Sequence, residues 1–136
     1  MRTLHKTMWV AALALVAVTA VSLSAQAPTK TASQFYMDYR AAFDKAQKIE
    51  ELFPFMSADS RKRVEATPAA ERTQMFGMMK IMGTLTDVKI LREERKGAGA
   101  TLTVEGIDSD KAKMKGTIDI VREGGAWKVG QENWSN

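Results

Sequence analysis

The sequence predicts an α+β domain, with helices covering one face of a four-stranded antiparallel sheet, behind an export signal. Three observations carry this. Up to Gly83 the apolar residues recur at helical spacing among Ala, Glu, Lys, Met and Arg. Beyond Gly83, β-branched residues alternate with polar ones between glycines, and helices followed by strands are the pattern of an α+β domain. The first 27 residues match neither pattern: a basic head (Arg2, His5, Lys6), an apolar run from Met8 to Leu23, and the small-residue end Ala25-Gln26-Ala27 before Pro28. That order is a secretory signal cut after Ala27. An uncleaved anchor helix is the rival, but the apolar run is short for a span of about 20 residues.

Pro28 to Thr31 is expected to be a short tail. Ser33 is expected to cap a first helix whose Phe35, Tyr39, Ala42 or Phe43, and Ala46 fall on one face. A short segment with Ile49, Leu52, Phe53 and Met56 follows, broken by Pro54. Ser57 or Asp59 can cap a turn through Arg61-Lys62-Arg63-Val64, and Thr67-Pro68 pairs a hydroxyl cap with proline at a first helical position. The helix so started is expected to carry Met75, Met78, Met79 and Met82 inward and to stop at Gly83. The first strand, with Val88 and Ile90, runs to about Arg95 and turns at Lys96-Gly97-Ala98-Gly99. Ala100, Leu102 and Val104 share a face of the second, and Gly106 to Lys111 is the next loop. Met114, Ile118 and Ile120 share a face of the third, Glu123-Gly124-Gly125 is a hairpin turn, and Trp127 and Val129 open the last strand, which reaches Trp134. Short loops between sequential strands imply a meander with one oily face for the helices to cover.

Without residues 1–27, 109 of the 136 remain, enough for one domain (28–136) with an ordinary hydrophobic core. There is no cysteine, so disulfides and a lipoprotein anchor are excluded. The only histidine, His5, lies in the signal, so the mature chain cannot build an imidazole or thiolate zinc site, a Ser-His-Asp triad or a Cys-His pair. Losing Arg2 and Lys6 lowers the formal charge from +4 to +2, too little to point to a nucleic-acid partner.

The order of elements, the strand Ala100-Thr101-Leu102-Thr103-Val104 and the ending Glu-Gly-Gly-Ala-Trp-Lys-Val over 123–129 resemble the nuclear-transport-factor-two-like, or cystatin-like, fold. The similarity is closest to small exported bacterial proteins of unknown function and covers roughly residues 31 to 136. It implies that the sheet curves like a cone around the first helix and leaves a cavity. Relatives of that fold include ketosteroid isomerases, dehydratases and cyclases as well as plain binding proteins, so the resemblance implies no single activity. No catalytic residue is carried over from them, and members that rely on histidine have no counterpart here.

The candidate residues come from three groups. Tyr36, Asp38, Tyr39 and Asp44 have the chemistry for proton transfer, with a cavity tyrosine donating to an oxyanion and a desolvated aspartate as base. Asp38 and Tyr39 are adjacent, so the core stripe takes Tyr39 and leaves Asp38 in water. The four methionines between Met75 and Met82 are expected to pack between helix and sheet or form an adaptable contact surface, with Met75, Met79 and Met82 on one face. As soft donors they also suit Cu(I). Asp108-Ser109-Asp110 lacks the glycine and distal glutamate of a calcium loop and is expected to be a solvated turn. Lys111, Lys113 and Lys115 line a solvated strand face. Trp127 and Trp134, seven apart on one strand, are expected to face opposite ways.

These observations point to an exported, non-catalytic binding or interaction module of the bacterial envelope, periplasmic or secreted. Its contacts are expected at Tyr36, Tyr39, Met75, Met79, Trp127 and Trp134, without cofactor, metal or catalytic residue. The occupant is an unknown small ligand, a peptide or a second copy of the chain. The alternative is a small metal-free cavity enzyme using carboxylate and tyrosine groups, and it requires a carboxylate in an apolar pocket beside a tyrosine.

Overall fold

Thr31, not Ser33, starts the first helix, α1 (Ala32–Lys45). Its hydroxyl accepts from Gln34 N at 3.1 Å while the Gln34 side chain accepts from Thr31 N at 3.0 Å, a reciprocal capping box. Ser33 instead donates through both N and Oγ to Glu93, tying the helix start to the first strand. The computed structural model describes residues 30–136, and the signal expected at 1–27 lies outside the described residues. The core stripe of α1 is Ala32, Tyr36, Tyr39 and Phe43, all buried. Phe35 is only half-buried and packs at the edge of the core.

Pro54 stands inside a short 3-10 helix (Ile49–Phe55) whose Ile49 and Leu52 are buried. Ser57, accepting from Ser60 N, caps α2 (Ala58–Ala66). Thr67 closes α2 rather than opening the next helix, since its hydroxyl donates to Arg63 O at 3.1 Å. Pro68 then holds the cap position of α3 (Ala69–Gly83). The buried residue of α3 is Phe76, an aromatic that the methionine run hides in the sequence. Only two of the four methionines expected to face inward do so. Met75 and Met79 pack at the core edge, but Met78 is 59% and Met82 78% exposed. With Phe76 as the inward anchor, Met78 and Met82, two and six residues on, turn outward on a helix of 3.6 residues per turn.

The strands β1 (Thr86–Lys96), β2 (Gly99–Ile107), β3 (Lys113–Glu123) and β4 (Ala126–Ser135) form an open antiparallel sheet in the order β1-β2-β3-β4. The β3–β4 hairpin turns on Gly124 (φ 57) and Gly125 (φ 78), the left-handed pair that a two-residue turn of matching twist requires. Across β2 and β3, Ala100 faces Ile120, Leu102 faces Ile118 and Val104 faces Gly116. Their buried side chains join Tyr36, Tyr39, Phe43 and Leu52 in one core. Among the described residues, no helix is long and apolar enough to cross a membrane.

The expectation that Trp127 and Trp134 face opposite ways is overturned by one residue. Ile120 pairs with Val129 but Asp119 pairs with Gln131, so Gly130 is an extra residue, a β-bulge. The extra residue shifts the alternation by one, which returns Glu132 and Trp134 to the face already held by Trp127 and Val129. Trp134 lies over Gly116, where an added Cβ would come within 2.8 Å of its ring.

Two cations fix α3 against α1. Arg40 donates through Nη2 to Gly83 O, at the end of α3, at 2.7 Å. Lys80 donates in return to Phe43 O (2.6 Å) and Asp44 O (2.8 Å), at the end of α1. Each helix thus caps the other's carboxyl end, where cations are favoured, and both charges sit over the Phe43 ring at 4.9 and 5.0 Å.

Candidate functional site

Between α1, α3 and β4 lie two adjoining cavities. The larger, about 760 Å³, is lined by Tyr39, Arg40, Phe43, Trp134 and the four methionines of α3, with Glu71 and Glu132. The smaller, about 360 Å³, reaches towards α2 through Arg63, Val64 and Thr67. Tyr39, Met75, Met79 and Glu132 line both, so the two form one groove with Glu132 at the junction.

Glu132 is there because of the Gly130 bulge; strict alternation from Val129 would turn it to the wet face. Its Oε2 accepts from Tyr36 Oη at 2.9 Å and from Trp134 Nε1 at 3.3 Å. Burial first, then the nearby Glu132 carboxylate, holds the phenols of Tyr36 and Tyr39 well above the ordinary value of 10.0, while Arg40 pulls both the other way. At neutral pH both tyrosines are therefore proton donors. Arg40 is 6% exposed, and its Nε is buried without a partner. No lysine or arginine forms an ion pair with Glu132 among the described residues.

The structure brings five of the six expected contact residues together. Tyr39, Met75, Met79 and Trp134 line the groove, and Tyr36 sits in the core behind it with its hydroxyl on Glu132. Trp127 is not part of the groove. It is buried, its Nε1 donates to Lys30 O at 2.8 Å, and Arg95 lies over its ring at 4.9 Å. Asp38 and Asp44 are both exposed, and Asp38 pairs with Lys30. The carboxylate beside the tyrosines is instead Glu132, which sequence reasoning missed because Gln131-Glu132-Asn133 looks like the wet end of a strand. The signal that would have found it is the glycine just before, a residue that marks bulges within strands.

Asp108 turns its carboxylate onto its own loop, accepting from Asp110 N and Ala112 N, as a solvated turn does. No cluster of His, Cys, Asp or Glu able to hold a metal occurs among the described residues. No family model, curated protein or solved structure matches the chain.

Proposed function

We propose that the chain is an exported, non-catalytic binding module of the bacterial envelope, built on a nuclear-transport-factor-two-like fold, whose α1–α3–β4 groove holds an apolar ligand. The observation that carries this is the groove itself: aromatic rings and four thioethers around a few convergent polar groups, the usual make-up of a ligand site. Methionine walls adapt to irregular guests, and the exposed Met78 and Met82 are available to one. Export is supported by the sequence of residues 1–27. Native mass spectrometry of the chain purified from its host's envelope tests the reading. A co-purifying apolar small molecule, displaced when Met79→Glu puts a charge in the wall, is the expected result. A bare chain that also takes up no apolar compound on titration would sink it.

The second reading, a metal-free proton-transfer enzyme, is favoured by Glu132 and Tyr39 lining the same groove. Against it, the Tyr36 hydroxyl is engaged by Glu132 and both phenols are held away from ionisation. Those are properties of a fixed polar floor rather than of a base ready to accept and release protons.

A further inference from the structure

The proposed groove ligand can be narrowed by its charge, an inference that rests on the binding reading above. Glu132 lies half-buried among Tyr39, Met75, Met79 and Trp134 with hydrogen-bond donors on one oxygen and no ion-pair partner among the described residues. A carboxylate removed from water is stabilised by an opposite charge, and the fold supplies none in contact with it. The cation lining the larger cavity, Arg40, is turned to other work: Nη2 is on Gly83 O, the guanidinium covers Phe43, and Nε is buried. An anionic ligand at the junction would therefore meet Glu132, with Glu71 further along the larger cavity, while the guanidinium groups of the lining are held at Gly83 O and the Phe43 ring (Arg40) and at Ser60 Oγ (Arg63). A cationic one would meet a carboxylate in a groove shared with the aromatic rings of Tyr39 and Trp134 and with polarizable thioethers.

We propose that the groove takes an amphiphilic cation, an amine or quaternary ammonium head at Glu132 with an apolar tail along the methionines of α3. Isothermal titration with decyltrimethylammonium, decanol and decanoate, each below its micelle concentration, tests this on the protein as its host exports it. The ammonium compound is expected to bind about tenfold tighter than the alcohol, as a desolvated charge contact allows. Glu132→Gln, which keeps an acceptor for Tyr36, is expected to remove that preference, so that the ammonium compound binds no tighter than decanol. Equal affinity for ammonium and alcohol, or tightest binding of decanoate, would overturn the cation proposal and leave the apolar groove standing. Failure of all three probes to bind would overturn both. The ranking of probes on the unaltered protein decides the matter even where the variant does not fold.

Discussion

Tyr36 has no exposed surface, so its hydroxyl must find a protein acceptor, and Glu132 is that acceptor. Replacing Glu132 by Leu strands the buried hydroxyl, and chemical denaturation is expected to show a loss of about 1–3 kcal/mol. Adding Tyr36→Phe to that variant is expected to recover part of the loss, since the two residues act as one unit. The raised phenols also give a pH signature. The folded state keeps the tyrosine protons that the unfolded chain releases near 10.0. The tyrosine contribution to stability is thus whole below pH 10 and falls as pH rises beyond it. Both tyrosines of the chain belong to this pair. Ultraviolet titration of the native protein is therefore expected to show no phenolate at pH 10.5, and unfolding at that pH is expected to release it. Gly116 is as constrained as the tyrosines. An alanine Cβ there would press on Trp134 and on Val104 Cγ2 at 2.8 and 2.9 Å, for an expected cost of about 1–3 kcal/mol in thermal or chemical unfolding.

Between elements, the exchange of caps between α1 and α3 sets how the groove wall stands. Lys80→Met removes two hydrogen bonds to the end of α1 and is expected to cost about 1 kcal/mol. In a double-mutant cycle with Arg40→Met the two losses are expected not to add, because both cations share the Phe43 ring. The bulge in β4 is the other device at this scale. Deleting Gly130 would remove the bulge and leave a regular strand in which Gln131 still faces Asp119 and Glu132 still faces Ile118, so Glu132 and Trp134 keep the groove face. Near-ultraviolet circular dichroism of the deletion variant is expected to keep the Trp134 signal, and its loss would show that Gly130 is more than one extra residue in the ladder. These devices also mark where the sequence stops being legible. The strands of the meander and the Glu123-Gly124-Gly125 turn follow from alternation and glycine, which are local. The position of Glu132 follows from a one-residue slip between β3 and β4, and the direction of Met78 and Met82 from Phe76 winning the inward face of α3. Both are decided by tertiary fit, which alternation and helical spacing do not contain.

On the scale of the molecule, the division into helices up to Gly83 and an antiparallel meander after it was legible throughout, because composition and period both change there. The groove was legible in its walls but not in its acid: Tyr39, Met75, Met79 and Trp134 stood out by residue type, while Glu132 needed the fold. Having both C-terminal tryptophans on one face, with one under Arg95 at the Lys30 end and the other in the groove, gives the chain prepared as residues 28–136, without Trp9, two separate optical channels. Trp127, 4% exposed, emits from the packed interior and reports whether the chain is folded; Trp134, partly open beside a carboxylate, reports whether the groove is filled. With Trp127→Phe, emission is expected to shift when a guest enters and to be nearly blind to it with Trp134→Phe, so occupancy and folding can be followed in the same cuvette without a label.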